Sequence, residues 1–391
     1  MSTRTCAQLL IVALAALAPG ARAHAQQMFA EAEPNDAGEA ATSVTIKPGQ
    51  GVTGTTTGSA AGAGAASADW FLLNISGIGA EIVRHRLALT TTGPGGHTGA
   101  IMAHRVVAGA VQPGLFNVQS SSVNSVPARF NQFYTVGVMR AEVMLRVTGT
   151  ASTTQPYRVT LSSEQVTPET LGRTFKAPVT VRTDARGHTT NTEMLVFRST
   201  DGELLRHVDD LPDPDGPGGP GVAPAQAQVT LTQTGRYYVA IGPWQTGGPG
   251  LPEAIDGSQD AILTSKQGDV TTGLIVQSSS SAGSAGDLSY RVADSAQQVL
   301  DRVASKPGSY GVHFLVLDVS CSIADLAGPG QSPGPDGALT ADDIIVYIAR
   351  FSAGDLRADL AGNAQTPTPD GVLTADDIIA YINRWFVGCT P

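Results

Sequence analysis

The chain has 391 residues and a formal net charge of −10, with 24 Lys and Arg against 34 Asp and Glu. That acidic balance carries no electrostatic footprint for nucleic acid. Its 45 glycines and 24 prolines, only 15% charged residues, and abundant Thr, Ser and Val point to short strands joined by turns, not to a helical enzyme.

Residues 1–25 have the layout of a secretory signal: a charge at Arg4, an apolar run from Leu9 to Leu17, and the small-x-small site Ala23-His24-Ala25. The run is too short to span a bilayer and no later run reaches span length, so an exported chain without a transmembrane segment is expected, secreted or at the cell surface. Removal of the signal takes Arg4, Arg22 and Cys6 with it, leaving Cys321 and Cys389. These two bracket the last stretch of the chain, and in an oxidising compartment they would staple it; the alternative is two separate thiols, one of them used for attachment to a partner.

After the signal comes an acidic opening, Glu31-Ala32-Glu33-Pro34-Asn35-Asp36. Strand-like runs follow at Asp69 to Leu73, Arg86 to Thr90, Ile101 to Val107, Gln132 to Val138, Val143 to Val147 and Tyr157 to Leu161, separated by Gly, Pro and Ser turns. Runs at this spacing predict an antiparallel sandwich over 26–165. The acidic opening and the Asp-aromatic strand together resemble the bacterial pre-peptidase C-terminal (PPC) domain, whose pattern begins Glu-x-Glu-x-Asn-Asp and continues to an Asp-x-Asp-aromatic strand. The first acid of that strand is replaced here by Ser67, and the second is Asp69. The resemblance implies a β-sandwich with a calcium site built from Glu31, Glu33, Asn35, Asp36 and Asp69. Read without it, the opening is equally an acidic, solvated linker with a turn at Asn35-Asp36.

The region 166–320 repeats the theme. Met194 to Phe197, the turn Asp201-Gly202, Leu204-Leu205, Val229 to Leu231, Gly235 to Ile241 and Gly311 to Leu317 predict a second sandwich, similar to the first in its strand-turn-strand and Gly-x-Tyr-Tyr segments. Pro212 to Pro224 is a Pro/Gly/Asp loop in which Asp213 and Asp215 could meet a cation, although an exposed flexible loop accounts for it as well.

In 321–391 one pattern is written twice, at a fixed offset of 34 residues. About 20 of 28 aligned positions are identical, so the segment is a tandem duplication. In each copy an Ala-Asp-Leu-Ala-Gly segment leads through a loop to Pro-Asp-Gly and then to Leu-Thr-Ala-Asp-Asp-Ile-Ile. Thr340 with Asp343, and Thr374 with Asp377, have capping-box spacing and predict two helix starts. Ile344, Ile345, Ile348 and Phe351 share one helical face, as do Ile378, Ile379, Ile382 and Trp385, and the two faces are expected to bury each other.

Counted from the glycine as loop position six, Asp336 stands at five, Thr340 at nine and Asp343 at twelve, with Asp370, Thr374 and Asp377 repeating this. That is the layout of an EF-hand-type calcium loop with a single following helix. The segment resembles the dockerin domain, and more narrowly its variant ending in a Gly-Cys pair, here Gly388-Cys389. The resemblance implies calcium held by Asp325, Asp336, Thr340 and Asp343 and by Asp359, Asp370, Thr374 and Asp377, with the carbonyls of Ala338 and Val372 helping. It also implies docking to a cohesin-like or other surface-anchoring protein. The sequence departs from the family at loop position three, which is Ala327 or Ala361, and in an insert ahead of each Asp-Gly. A metal-free helical hairpin with capped ends is the other reading of the same residues.

Nucleophile-elbow, zinc-protease, P-loop and dinucleotide motifs are absent, and His85, His97, His104, His188, His207 and His313 lack metal spacing. His97 and His188, each in a Gly-His-Thr triplet, read as polar turns. The expectation is therefore a mainly β chain of one or two antiparallel sandwiches and a small α-helical tail. It is read as an exported, non-catalytic binding or scaffold protein, with an extracellular polymer as a further partner. A polysaccharide or protein hydrolase docked by the same tail is the alternative, since a carboxylate pair depends on separation in space.

Overall fold

The computed structural model describes residues 26–389 apart from 58–66, 78–81, 94–95, 103–105, 108–109, 112–118, 138–140, 150–152, 184–191, 201, 209–227, 244–265, 268–269, 272–273, 277–288, 303–311 and 367–368. The signal region and the Pro212–Pro224 loop with Asp213 and Asp215 lie outside the described residues, as do His104 and His188. The protein is mainly β, with a small helical part at its C-terminus. No helix among the described residues is long and apolar enough to cross a membrane.

Period-two burial builds the first sandwich. In Ala68–Ile75 the row Asp69, Phe71, Leu73 and Ile75 faces the core, and in Ile82–Thr91 the row Val83, Leu87 and Leu89 does the same. One sheet runs in the order Met28–Ala30, Gly51–Thr56, Thr153–Gln165, Ile82–Thr91, Arg129–Val136, and the other Thr42–Ile46, Ala68–Ile75, Ala141–Gly149, His97–Met102, Gln119–Asn124. Tyr157, Val159 and Leu161 close the core from the long strand Thr153–Gln165. His97 is not in a turn: it opens a strand, buried against Tyr157.

The second sandwich sets a five-stranded sheet (Glu169–Lys176, His313–Ser320, Gly235–Pro243, Thr192–Arg198, Leu204–Val208) on a four-stranded one (Gln228–Leu231, Val179–Arg182, Tyr290–Asp294, Val299–Arg302). The larger sheet is covered on both faces. Met194, Val196, Val239, Leu315 and Leu317 pack into its own core, while Leu195, Phe197, Tyr238, Phe314 and Val316 pack with Ile82, Tyr134 and Val136 of the first sandwich. Double burial is why Met194 to Phe197 reads as an unbroken apolar run and not as an alternating one. Leu274–Val276, which belongs by sequence to the second region, pairs antiparallel with Arg129–Val136 of the first. The two sandwiches therefore share both an apolar joint and a strand.

The tail follows directly from strand His313–Ser320. Helix α1 (Ala341–Ser352) and helix α2 (Ala375–Val387) each begin with a complete capping box, from Thr340 with Asp343 and from Thr374 with Asp377. Their cluster is separate from the sandwich cores: Ala324, Leu326, Tyr347, Ala358 and Tyr381 are buried, with Ile344, Phe351 and Trp385 partly so. The expected mutual burial of the two isoleucine faces does not occur, because Tyr347 and Tyr381 occupy the contact. Ile345, Ile348, Ile378, Ile379 and Ile382 remain exposed. Cys321 and Cys389 are joined, with Cα atoms 5.0 Å apart, closing the tail end to end.

Candidate metal centre and tail face

Asp69 terminates the core-facing row of its strand and is fully buried, so its charge has no water to solvate it. The acidic opening wraps onto that end of the sandwich. Glu31 follows Met28–Ala30, the edge strand paired in parallel with Gly51–Thr56, and the backbone N–H of Trp70 donates to the Asn35 carbonyl at 3.0 Å. One carboxylate oxygen from each of Glu31, Glu33 and Asp69 lies within 4.8 Å of the other two. Asp69 Oδ1 accepts from the Ser67 hydroxyl at 3.1 Å, Glu31 Oε1 from the Thr55 N–H at 3.0 Å, and Glu31 Oε2 from the Tyr157 hydroxyl at 3.2 Å.

Three buried oxygens at this end have no hydrogen-bond partner: Asp69 Oδ2, Asn35 Oδ1 and Asp36 Oδ1. Burial, with the Glu31 carboxylate beside it, pushes the Asp69 carboxyl up to about 7, and burial beside both acids pushes the Tyr157 phenol up, keeping it a donor. Gly54 leaves the space: a Cβ there would collide with Glu31 Oε2 and with the Tyr157 hydroxyl. Unpartnered, acid-rich, oxygen-only donors around a glycine cradle fit a hard divalent cation. Of the five residues expected from sequence, Glu31, Glu33 and Asp69 are brought together, and Asn35 lies beside them through its N–H on Glu33 and its carbonyl on Trp70; Asp36 is the next residue in the chain. Gly54, Thr55 and Tyr157 join them from strands whose sequences carry no metal signal.

The tail loops are arranged differently. Asp343 is fully buried and its oxygens accept from the N–H groups of Leu326, Ala327 and Thr340 at 2.7, 2.9 and 2.7 Å, and from the Thr340 hydroxyl at 3.3 Å. Asp377 repeats this with Leu360, Ala361 and Thr374. Asp325 accepts from the Ser320 hydroxyl and the N–H groups of Asp336 and Gly337, and burial pushes it up to about 6. Asp359 accepts from the Gly371 N–H and leaves Oδ1 buried without a partner. Asp336 and Asp370 turn back onto the N–H groups of Ala338 and Val372.

Among the described residues neither loop gathers three carboxylate oxygens. In the first loop Asp325 and Asp343 already accept from backbone N–H groups and from the Ser320 and Thr340 hydroxyls, so the residues there do not fit a cation as arranged. Asp343 instead performs the closing task that position twelve would perform through a metal. The Ala-for-acid change at position three, Ala327 and Ala361, is consistent with this: their side chains offer no ligand, and the N–H of each donates to Asp343 or Asp377.

The other feature of the tail is its outer face. Ile344, Ile348, Ile378, Ile382, Trp385 and Phe386 line an apolar groove of about 290 Å³ between α1 and α2, over the Tyr347–Tyr381 pair. Ile348 is 56% exposed, Ile382 44% and Phe386 76%. No protein-family model matches the chain, and no curated protein matches it.

Proposed function

We propose that the chain is an exported, non-catalytic binding or scaffold protein whose two sandwiches are attached to a cell-surface or extracellular assembly through the tail. The observation that carries this reading is the groove of exposed isoleucines running along both copies of the repeat. Exposing β-branched apolar residues on a small capped and disulfide-closed unit costs solubility, and a contiguous apolar face with aromatic residues at one end is the composition of a protein-docking surface. The occupant is a surface-anchoring protein that buries the two helices together. The first sandwich carries calcium in the nook of Glu31, Glu33, Asn35, Asp36 and Asp69, where the cation fixes the acidic opening to the sandwich edge.

The test compares the full chain with an Ile348→Asp, Ile382→Asp variant expressed in a cell that exports it. Both positions are exposed, so the fold is retained. The wild type is expected with the cell fraction and the variant in the medium. Equal retention of both would defeat docking through this face.

A further inference from the structure

The charges of the tail are sorted by side. From Cys321 to Cys389 it carries nine aspartates and three arginines, with no lysine, glutamate or histidine. All three arginines lie where the tail meets the second sandwich. Arg350 and Arg357 share a cavity wall with Arg236 and Asp318 of the sandwich, and Arg357 is bonded to Asp355 at 2.6 Å. Arg384 lines a neighbouring crevice with Thr174 and Gln298 and donates to the Leu360 carbonyl at 3.1 Å.

The groove between α1 and α2 is lined by no charged side chain. An acid borders its apolar face on each helix. Asp342 stands one helical turn before Ile345, and Asp376 one turn before Ile379, at neighbouring positions on the helix surface, and both isoleucines are exposed. The two acids are half-buried, and the ion pairing of the tail among the described residues is that of Arg357 with Asp355. Asp342 accepts the Gly330 N–H at 2.9 Å, a contact that leaves its charge in place. Asp336 and Asp370 are exposed in the loops, while Asp325, Asp343, Asp359 and Asp377 are buried. The face turned away from the sandwich is therefore apolar in its centre and negative at its border.

Such a face selects its occupant by charge. A second copy of the chain would set acid against acid, and an anionic lipid surface is repelled in the same way. A protein surface that offers lysines or arginines around an apolar patch is steered in and held in register. We propose that the groove is occupied by a protein of this kind, whose basic side chains meet Asp342 and Asp376 while its apolar centre covers the isoleucines. Such a partner presupposes docking through the isoleucine face.

Binding of the purified full chain to washed cells of a source strain lacking it, at low and at high salt, tests the proposal. At low salt an Asp342→Lys, Asp376→Lys variant is expected to bind about tenfold or more weakly than the wild type, with an Asp342→Asn, Asp376→Asn variant between them. At high salt the three should converge, because border charges are screened. The Asn pair keeps an acceptor for the Gly330 N–H and reads the charge even where lysine in the first turn unsettles a helix. Ile348→Asp with Ile382→Asp separates the two ideas. Loss of binding in that variant, with equal binding by the wild type and both charge variants, would overturn the basic partner and leave docking standing. Binding retained in it, or no saturable binding of the wild type, would overturn docking and the basic partner together. Wild-type dimers in sedimentation that Ile348→Asp abolishes would make the occupant a second copy, and wild-type binding to phosphatidylglycerol vesicles would make it a membrane; either result overturns the proposal.

Discussion

The rings of Tyr347 and Tyr381, one from each copy of the repeat, lie face to face with centroids 3.9 Å apart and planes 7° from parallel. Each hydroxyl reaches into the other copy: Tyr347 donates to the Ala358 carbonyl at 3.4 Å and Tyr381 to the Ala324 carbonyl at 3.3 Å, the residues just ahead of the two loop aspartates. The duplication is therefore locked across its own pseudo-twofold axis. Tyr347→Phe and Tyr381→Phe should each cost about 1 kcal/mol of tail stability, and by symmetry nearly the same amount. Tyr381→Ala should cost about 3 kcal/mol or more, since a stacked, buried ring is lost. Denaturant unfolding of the four proteins checks this, and Phe variants that differ severalfold in cost would show that the copies are not equivalent.

The Cys321–Cys389 bond closes a loop with a sequence separation of 68 residues. On the chain-entropy account such a closure is worth about 4 kcal/mol, most of it by restricting the unfolded tail. Mass measurement after alkylation without reduction, on a chain beginning at Gln26 and so without Cys6, should find no free thiol. Reduction should lower the tail's unfolding midpoint while leaving that of the sandwiches, whose cores contain neither cysteine.

How much of this was legible in the chain depends on where each signal lives. Strand rows with local alternation or unbroken apolar runs, such as Ala68–Ile75 and Thr192–Arg198, announce themselves. Gly51–Thr56 and Gln119–Asn124 do not, because Gly, Thr and Ser strands are held by ladder partners distant in sequence. The acids of the sandwich nook were visible as a cluster, whereas Tyr157 arrives from 126 residues beyond Glu31 and Gly54 matters only for the space it leaves. In the tail the repeat, both capping boxes and the cysteine pair were readable from spacing. The helical period placed the isoleucines on one face but could not say that Tyr347 and Tyr381, one residue off that face, would take the inner contact and turn it outward.

The same geometry separates the two candidate calcium positions. Calcium titration of the chelated protein should show one site, in the sandwich, abolished by Glu31→Gln with Asp69→Asn and weakened by Gly54→Ala, whose methyl group must displace Glu31 or Tyr157. At a hundredfold excess over the dissociation constant, calcium should stabilise the sandwich by about 2.7 kcal/mol. Asp343→Asn should leave the stoichiometry unchanged but destabilise the tail, because an amide cannot accept from all the N–H groups that Asp343 serves. A stoichiometry of two or three would return calcium to the loops of Asp325 and Asp359.

His85 supplies a pH test. Its ring is fully buried, stacked 4.8 Å from Phe133, with its nitrogens 2.8 Å from the Ser163 hydroxyl and 3.0 Å from the Thr135 hydroxyl. Neither hydroxyl compensates a charge, and burial lowers the imidazole to about 4 from its ordinary 6.5. The sign follows from proton uptake. Between pH 6.5 and 4 the unfolded chain binds a proton that the folded chain refuses, so this residue's contribution to stability is present above 6.5 and lost as the pH falls, by about 3 kcal/mol in total. Asp69 and Asp325, raised by burial, act with the opposite sign, but they do so equally in a variant that changes only the histidine. His85→Asn keeps a donor and an acceptor without titrating in this range, so it should be less stable than the wild type at pH 7.5, and the gap should shrink steadily towards pH 4. Denaturant midpoints of the two proteins across that range measure it; a gap independent of pH would mean that the folded protein takes up the proton at His85 as readily as the unfolded chain does.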